Sequence, residues 1–329
     1  MNWKDKNVLI TGAGGFIGSH LVERLVCLGA NVKAFVRYNS RNDYGEIEYF
    51  PRNTLSKIKI IAGDLRDQDA IRAVVADSDI IFHLGSLIAI PYSYIHPVEV
   101  IKTNILGTTN VLMAAKNNNV EKIIHTSTSE VYGTARYVPI DEKHPLQGQS
   151  PYSASKIGAD MIATSFQKSY NLPVAIIRPF NTYGPRQSSR AIIPTIITQA
   201  LTRKVIRLGS IHPTRDFTFI SDTIEGFIRV AEEKKSIGEL INIGSSFEIS
   251  IADLVEKILT LTHSDAKIEV DEGRIRPKSS EVERLYADCT KAKNLLDWKP
   301  QIDLDEGLKR TIKWISENIE RYKIDTYMI

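Results

Sequence analysis

The chain has 329 residues, of which 43% are hydrophobic and 25% are charged, and its formal net charge is +3. This balance is typical of a globular protein with a large buried core, and it excludes a mostly disordered chain. The sequence has no long run of Lys or Arg and no apolar run of the about 20 residues that a membrane helix needs, so it predicts neither a nucleic-acid partner nor a membrane partner.

Short apolar runs alternate with longer helical patterns in the first half of the chain. Runs of this length that are apolar throughout are typical of strands buried on both faces, as in a parallel sheet covered by helices. The alternation predicts a series of βαβ units and therefore an α/β fold with a Rossmann-type doubly wound parallel sheet. The predicted strands are 7–11, 31–36, 57–63, 79–84, 122–128 and 174–179, and the predicted helices are 16–28, 67–76, 99–117 and 151–170.

After about residue 180 the pattern changes, because prolines interrupt it and helical patterns dominate. We therefore expect a smaller mixed C-terminal substrate domain, packed on the first domain with a cleft between them. The later predicted elements are helices near 190–203, 221–234 and 250–262, a strand at 239–244, and a last helix with an apolar face from Leu304 to Ile319. The expected domains are 1–179 with roughly 214–246 for the cofactor, and 180–213 with 247–329 for the substrate.

A glycine-rich loop, TGAGGFIGSH, places Gly12, Gly15 and Gly18 between the first strand and the first helix. Glycine allows a tight turn and close approach of a pyrophosphate, whose charge then lies at the helix N-terminus. A glycine motif alone is a weak signal and could be a plain strand-to-helix turn. Here it lies inside a βαβ unit, which is the context that dinucleotide binding requires. We therefore expect the loop to bind NAD or NADP.

The end of the second strand leaves the choice between NAD and NADP open. A carboxylate about 20 residues beyond the glycine motif would bind the ribose hydroxyls and favour NAD. This chain has Arg37 near that position and no carboxylate, so Arg37 could pair with the 2′-phosphate of NADP or be a solvated charge. Asp64, after the third strand, is a candidate partner for the adenine amino group, the N-cap of the next helix, or both.

Tyr152 and Lys156 are four residues apart on a predicted helix, so they share one of its faces. A free tyrosine has a pKa near ~10 and is a poor base at neutral pH. A neighbouring ammonium group and a nicotinamide cation would favour the phenolate and lower that pKa. Tyr152 is therefore a candidate general base. The alternative is an amphipathic helix that carries Tyr and Lys by chance.

Taken together, the glycine loop, STSEVYG (127–133) and Tyr-x-x-x-Lys resemble the extended short-chain dehydrogenase/reductase family, which includes NAD-dependent epimerases and dehydratases of nucleotide sugars. The resemblance covers nearly the whole chain. It implies an active site of Thr128, Tyr152 and Lys156 and a nucleotide-sugar substrate. Further matching segments are HLGS (83–86), TNILGT (103–108), RPFNTYGPRQ (178–187), TRDFTFISD (214–222) and RIRPKSSEVERLYAD (274–288).

The same resemblance implies the binding residues and the assembly. The family commonly dimerises through helices that correspond to 99–117 and 151–170, so we expect a homodimer or a higher homo-oligomer. Each arginine in the set of substrate residues given next could instead form a surface salt bridge. The implied cofactor residues are Gly12, Gly15, Phe16, Ile17, Gly18, Arg37, Asp64, Leu65, Leu84, Tyr152 and Lys156, and the implied substrate residues are Ser86, Asn181, Arg186, Arg215 and Arg276.

The residues after Thr128 bear on the reaction that the family resemblance implies. Family reactions begin with removal of a hydride from a sugar carbon, commonly C4, and the resulting ketone acidifies the C5 proton. Family 4,6-dehydratases usually carry Thr-Asp-Glu here, with the Asp as acid and the Glu as base, whereas this chain has Thr128-Ser129-Glu130. The base is present but the usual acid is replaced, and Glu130 itself could return the proton. A 4-epimerase needs no carboxylate here, and the structural alternative is a buried Glu130 that is costly unless hydrogen-bonded.

Thr-Ser-Glu also resembles UDP-glucuronate decarboxylases. The longer block 126–160 and the loop LIAIPYSYIHP (87–97) resemble the dehydratases of legionaminic-acid and related bacterial sugar pathways, which act on nucleotide-linked N-acetylglucosamine (GlcNAc). We therefore expect a 4,6-dehydratase of GDP- or UDP-GlcNAc. The alternatives are a UDP-glucuronate decarboxylase, a 4-epimerase and, outside enzymes, an NADP-binding redox sensor, which would typically lose the tyrosine or the lysine.

The expected compartment is the cytoplasm. The two cysteines, Cys27 and Cys289, are far apart and lack metal-ligand spacing, so we expect neither a disulfide nor a metal site. The first residues lead directly into a strand pattern, without the apolar segment of a signal peptide.

Overall fold

The computed structural model describes residues 1–322, and a parallel sheet of seven strands forms its centre. In chain order the strands are β1 (Asn7–Thr11), β2 (Asn31–Arg37), β3 (Ile58–Gly63), β4 (Ile80–His83), β5 (Lys122–Thr126), β6 (Val174–Pro179), β7 (Asn181–Tyr183), β8 (Val205–Leu208), β9 (Thr214–Phe219), β10 (Leu240–Ile243), β11 (Glu248–Ser250) and β12 (Lys267–Val270).

The large sheet has the strand order β10-β6-β5-β4-β1-β2-β3, and every neighbouring pair is parallel. From β1 the chain moves outward to β2 and β3, then returns to the other side of β1 and continues through β4, β5 and β6. The order therefore reverses between β1 and β4, and open α/β sheets bind ligands at the carboxyl ends of the strands beside such a reversal. The Rossmann-type doubly wound sheet predicted from the sequence is confirmed.

Helices cover both faces of this sheet. In chain order the helices of residues 1–322 are α1 (Phe16–Cys27), α2 (Arg52–Leu55), α3 (Gln68–Val75), α4 (Ile90–Ile95), α5 (Pro97–Ile101), α6 (Gly107–Lys116), α7 (Pro151–Tyr170), α8 (Ile192–Thr202), α9 (Ile220–Glu232), α10 (Ile251–Thr262), α11 (Thr290–Leu296) and α12 (Leu304–Glu317). Of these, α8, α10 and α12 pack on the smaller sheets instead.

The core has two parts because neighbouring strand residues point to opposite faces. Val8 and Ile10 of β1 belong to the part that α1 and α9 cover, together with Leu21 and Phe227. Leu9, between them, belongs to the part covered by α3, α6 and α7. Burial on both faces explains why these strands are apolar throughout rather than alternating.

The elements predicted for the first half are present, with two informative differences. The predicted strand 122–128 ends at Thr126, because Thr128 caps a 3₁₀ turn at Ser129–Tyr132. The predicted helix 99–117 is α5 and α6 joined by a π-helical turn at Lys102–Leu106. Such turns are often found at functional sites. Here the turn buries Asn104, whose side-chain amide donates to the carbonyl of Leu87 at 3.0 Å.

In the second half, several short elements were not predicted. Strands β7, β9 and β11 form a three-stranded sheet, and β8 pairs with β12. Each is short and gains its hydrogen bonds from a distant segment, so local periodicity gives little signal. The predicted strand 239–244 is β10, which joins the large sheet beside β6. The last helix ends at Glu317, and Ile319 lies in a following 3₁₀ turn. The domain bounds stay a prediction, and the predicted second domain reaches past residue 322, outside the described residues.

Within residues 1–322, no helix combines the length and the apolar character that crossing a membrane requires.

Candidate active site

The glycine loop between β1 and α1 forms a cradle that side chains would fill. Gly12 has φ +70°, and a Cβ on it would lie 2.8 Å from the backbone nitrogen of Gly85. A Cβ on Gly18 would collide with the carbonyl oxygen of Gly12. Gly15 caps α1 without a side-chain hydrogen bond, and the first turn of α1 carries no acidic residue. The amino end of α1 is therefore open to an anion, which fits the pyrophosphate of a dinucleotide.

Two apolar residues follow the cradle, and Leu84 lies opposite it. Phe16 and Ile17 open α1 and are partly buried against the core, as is Leu84 after β4. Leu65 is buried and would contact a Cβ placed on Gly85. These four predicted cofactor residues therefore lie around the glycine loop, at the carboxyl ends of β1, β3 and β4.

A cavity beside the cradle lies at the carboxyl ends of β1 to β4. Its wall contains the predicted cofactor residues Arg37, Asp64 and Leu65, and also Ser86, which was predicted to contact substrate. A dinucleotide whose pyrophosphate lies at Gly12 would place its adenosine end here. Ser86 thus lies on the cofactor side of the site.

The charges in this cavity are already paired. The guanidinium of Arg66 donates to Asp64, with Nε 2.9 Å from Oδ1, and this hydrogen bond lowers the pKa of Asp64 against the effect of its partial burial. Arg37 lies 3.2 Å from Glu99, which also accepts a hydrogen bond from the hydroxyl of Tyr92. Sequence reasoning missed Arg66, Tyr92 and Glu99, because no motif marks them. Its suggestion that Asp64 caps α3 is wrong.

The residue that caps α3 is Asp67. Its carboxylate accepts hydrogen bonds from the backbone N–H groups of Asp69 and Ala70. Asp64 lies one turn earlier, where it accepts instead from the backbone N–H of Arg66 at 2.8 Å. Asp64 is therefore part of the cavity wall rather than of the helix end.

The predicted catalytic pair, Tyr152 and Lys156, lies near the start of α7, which begins with a capping box between Ser150 and Ser153. Tyr152 and Lys156 are both buried. The ammonium group of Lys156 donates to the carbonyl oxygen of Thr126 at 2.6 Å, at the end of β5. Helix α7 is thereby tied to the strand that leads into the Thr128 segment.

Burial shifts the pKa of both members of this pair. Burial raises the pKa of Tyr152 far above its ordinary value, a hydrogen bond with Thr128 opposes this, and the charge of Glu130 adds to it. Burial lowers the pKa of Lys156 to about 8, although Asp160 opposes the change. The expectation that Lys156 lowers the pKa of Tyr152 is not met by the protein alone, because loss of water around the phenol outweighs the other effects.

The 3₁₀ turn after β5 carries Ser129 and Glu130, which the sequence predicted to bear on the reaction. The hydroxyl of Thr128 accepts the backbone N–H of Glu130 at 3.3 Å. Ser129 is buried and Glu130 is half-buried. The charge of Glu130 raises the pKa of Tyr152 and opposes the lowering of the pKa of Arg215 by burial. Thr128, Glu130, Tyr152, Lys156 and Arg215 therefore form one cluster.

Two of the three predicted substrate arginines converge on a single carboxylate. Arg215 Nη2 lies 3.3 Å from Glu281 Oε1, and Arg276 Nη1 lies 3.6 Å from the same oxygen. Nη1 of Arg276 is buried and makes no hydrogen bond to any described residue. Asn181 lies nearby, with its amide 3.4 Å from the carbonyl oxygen of Asp216. This corner carries more guanidinium donors than Glu281 can satisfy, which suits an anionic ligand.

Arg186 does not join this corner. It has φ +68°, and its Nη2 lies 2.6 Å from Glu23 on α1. Its guanidinium also lies 5.0 Å from the ring centre of Phe50. The structure thus groups Arg215 with Arg276 but places Arg186 against the helix that follows the glycine loop.

No group of three or more His, Cys, Asp or Glu side chains that could hold a metal is found among residues 1–322. Cys27 is exposed and Cys289 is buried, and both are free thiols.

Comparison with known proteins agrees with this geometry. The family model described as GDP-mannose 4,6 dehydratase matches residues 9–311. The chain belongs to this family. It is 32% identical to human dTDP-D-glucose 4,6-dehydratase over 97% of the chain and 92% of that protein. It is 34% identical to the UDP-N-acetyl-alpha-D-glucosaminuronate decarboxylase of Bacillus cytotoxicus over 95% of the chain and 98% of that protein.

Solved structures of similar proteins match most of the chain. The dTDP-glucose 4,6-dehydratase DesIV of Streptomyces venezuelae, with NAD and TYD bound, has a TM-score of 0.84 at 28% identity and covers 96% of this chain and 99% of its own. The UDP-glucuronic acid 4-epimerase of Bacillus cereus, in complex with UDP-glucuronic acid and NAD, has a TM-score of 0.85 at 29% identity and covers 95% and 99%. The expected membership of a nucleotide-sugar dehydratase and epimerase family is confirmed.

The glycine cradle makes a direct prediction about cofactor affinity. In Gly18→Ala the new methyl group must displace the Gly12 carbonyl, so the affinity for NAD should fall at least about tenfold, or about 1.4 kcal/mol. Isothermal titration calorimetry measures the loss. Cys27→Ala, exposed at the far end of the same helix, is the control and should bind NAD like the unmodified protein. Unchanged affinity in Gly18→Ala would place the dinucleotide elsewhere.

Proposed function

We propose that the protein is an NAD-dependent 4,6-dehydratase of GDP- or UDP-linked GlcNAc that forms the 4-keto-6-deoxy sugar. One observation carries the proposal: Glu130 stands directly after Thr128, half-buried, and its charge acts on the pKa values of both Tyr152 and Arg215. A carboxylate at this place has no task in simple epimerisation. It can remove the C5 proton of a 4-keto sugar.

The residues of the cradle and of α7 prepare the first step. Gly12, Gly15 and Gly18 would hold the pyrophosphate of NAD, which when bound accepts a hydride from the sugar and later returns it. Tyr152 would take the proton of the C4 hydroxyl group. Its pKa is raised by burial, so the phenolate needs a neighbouring cation, and Lys156 on the same helix face is still mostly charged at pH 7 because its pKa is about 8.

Glu130 would then carry out the elimination. The C4 ketone acidifies the C5 proton, Glu130 removes it, and the C6 hydroxyl leaves as water once it receives a proton. Ser129 is buried and is no acid, so the proton that Glu130 took from C5 is the one we assign to the leaving hydroxyl. When the hydride returns to C6, C5 takes up a proton from solvent and Tyr152 gives up the proton that it took from the C4 hydroxyl group, so one water is lost in total.

The second half of the chain would bind the nucleotide. Arg215 and Arg276 offer more N–H donors than Glu281 accepts, and guanidinium groups pair well with phosphate oxygens. A diphosphate there would put the sugar next to Glu130. The name of the B. cytotoxicus relative contains an N-acetylated sugar, which supports GlcNAc over glucose.

A decarboxylase acting on a UDP-linked uronic acid is the second candidate. It is favoured by that same relative and by Arg215, a buried cation beside Glu130 that could hold a sugar carboxylate. A redox sensor without catalysis is less consistent with the site, because Thr128, Tyr152 and Lys156 are all present and lie together.

Mass spectrometry of the products separates these activities. The purified protein is incubated with NAD and, in parallel, UDP-GlcNAc, GDP-GlcNAc and UDP-glucuronate. A product lighter by one water, without net NADH, supports the dehydratase and names its nucleotide. Release of carbon dioxide from UDP-glucuronate would establish the decarboxylase instead, and an isomer of unchanged mass with altered C4 configuration would establish an epimerase.

Glu130→Gln tests the assigned base. The amide cannot accept the C5 proton, so solvent deuterium should no longer enter C5 and turnover should fall by about 100-fold or more. Nuclear magnetic resonance of the recovered sugar in deuterated water measures the exchange. Tyr152→Phe is the companion variant, and it should lose turnover but keep its NAD affinity. Continued exchange in Glu130→Gln would remove Glu130 from this role.

We further propose that NAD is preferred to NADP. Arg37, the candidate partner of a 2′-phosphate, is already paired with Glu99, whose carboxylate would repel that phosphate. Two solved relatives contain NAD. NAD should therefore bind at least about tenfold more tightly than NADP in calorimetry. Glu99→Gln should narrow this difference by strengthening NADP binding, with NAD affinity retained. Equal affinity of the unmodified protein for both would contradict the assignment.

A homodimer is the proposed assembly. Val98, Ile101, Leu106 and Met161 are exposed apolar residues on α5, the π-helical turn and α7. Apolar residues clustered on neighbouring helices are typical of a protein interface, and the same surface on a second copy can cover them.

Met161→Arg should disrupt that assembly, because an unpaired charge would be buried between the two copies. Sedimentation analysis should show the unmodified protein at twice the chain mass and the variant at the chain mass. Val270→Arg, which replaces an exposed apolar residue on β12, should leave the mass unchanged. A monomer in the unmodified protein would refute the dimer.

A further inference from the structure

Behind the catalytic pair lies a buried ion pair that the proposed chemistry does not use. Asp160 follows Lys156 by one turn of α7, and its Oδ2 lies 2.7 Å from Nη2 of Arg178 on β6. Neither residue is exposed to solvent. Burying two charges is expensive, and a well-packed apolar pair is often as stable. Stability alone therefore does not account for this ion pair.

The ion pair holds the segment that carries the catalytic residues. The hydroxyl of Ser127 donates to Oδ2 of Asp160 at 2.6 Å and accepts from Nε of Arg178 at 3.2 Å. Ser127 stands between Thr126, whose carbonyl accepts the Lys156 ammonium group, and Thr128. Moving Ser127 would therefore move both the support of Lys156 and the hydroxyl of Thr128.

The same ion pair also reaches the other end of this segment. The guanidinium of Arg178 lies 4.6 Å from the ring centre of Tyr132, the last residue of the 3₁₀ turn. The hydroxyl of Tyr132 donates to Asn242 of β10 at 2.8 Å. Both ends of the turn that presents Ser129 and Glu130 are thus held from the buried side.

The charges around Lys156 come from three strands and its own helix. His83 on β4, His125 on β5 and Arg178 on β6 face this region, and Asp160 and Tyr152 are the titratable groups of α7. Burial lowers the pKa of both histidines, so they are neutral at pH 7. Asp160 is the carboxylate whose charge keeps the pKa of Lys156 from falling further.

We propose that Asp160 is a positioning residue of the active site: with Arg178 and Ser127 it holds the Thr126–Tyr132 segment in place, and it puts a buried negative charge one helical turn from Lys156. The inference rests on the proposed function only in taking Tyr152 and Lys156 as the catalytic pair, and it does not depend on which sugar is the substrate. An apolar residue at position 160 could neither accept from Ser127 nor favour the cation.

Asp160→Asn tests the electrostatic part in the cofactor-free protein, without any sugar. The pH dependence of the Lys156 Cε chemical shift, read by nuclear magnetic resonance of protein labelled with 13C-lysine, reports its pKa. Loss of the carboxylate should lower that pKa by about 1 to 3 pH units. A lysine that must be protonated supports activity below its pKa and loses it above, so the alkaline limit of kcat should move to lower pH by the same amount.

Matched variants separate this role from general destabilisation. Asp222→Asn alters another buried carboxylate, which accepts the backbone N–H groups of Gln301 and Ile302 at 3.0 and 2.9 Å, and should leave the pKa of Lys156 unchanged. Asp160→Glu keeps the charge and should restore most of the pKa. An unchanged Lys156 pKa in Asp160→Asn, or an equal fall in Asp222→Asn, would overturn the proposal.

Ser127→Ala changes no charge and tests whether the hydrogen bonds of Ser127 hold the Thr126–Tyr132 segment in place. This variant is sufficient to test the positioning role if Asp160→Asn does not fold. It should lower kcat by at least about tenfold, with little change in KM and no movement of the alkaline limit. Unchanged kcat would overturn the positioning role. If the unmodified protein turns over none of the sugars, the proposed dehydratase fails, whereas the chemical-shift measurement of the Lys156 pKa needs no sugar and still decides the role of Asp160.

Discussion

Parallel pairing of β1 with β2 on one side and with β4 on the other is the constraint on which the site depends. Because the chain leaves this pair in opposite directions, the crossover helices cannot close the carboxyl edge of the sheet there. The glycine loop follows β1, Arg37 is the last residue of β2, Asp64 follows β3, and Thr128 lies just beyond β5. One edge of the sheet therefore carries the glycine cradle and the cavity proposed for the cofactor, together with the turn proposed for catalysis.

Burial then decides the electrostatic character of this edge. The loss of water that raises the pKa of Tyr152 also lowers that of Lys156, so the two shifts have one cause and opposite effects on charge. Groups that restore the useful protonation states must therefore act over short distances. The charge of Asp160 opposes the lowering of the Lys156 pKa and the hydrogen bond with Thr128 opposes the raising of the Tyr152 pKa, although burial outweighs each of them.

The second half of the chain contributes charged side chains to the proposed site. Arg215 at the start of β9 and Arg276 in the segment after β12 meet at Glu281, opposite the turn that carries Glu130. This arrangement keeps two cations close together before any ligand arrives, since one carboxylate reduces their repulsion. A diphosphate would complete the pairing, and its attached sugar would lie between the two halves.

The sequence by itself determined the Rossmann-type sheet, the glycine cradle and the Tyr152–Lys156 pair, because apolar runs, glycine spacing and helical spacing are local properties of the chain. Tertiary structure alone decided that β5 ends at Thr126 and that Thr128 caps the following turn. It also decided that Arg66 forms an ion pair with Asp64, and that Arg186 pairs with Glu23 instead of lying beside Arg215. No sequence motif marks the buried Asp160–Arg178 ion pair either. Each of these outcomes depends on which hydrogen-bonding or ionic partner lies close to the side chain once the sheet has assembled. Packing in three dimensions determines that partner, and the spacing of residues along the chain does not.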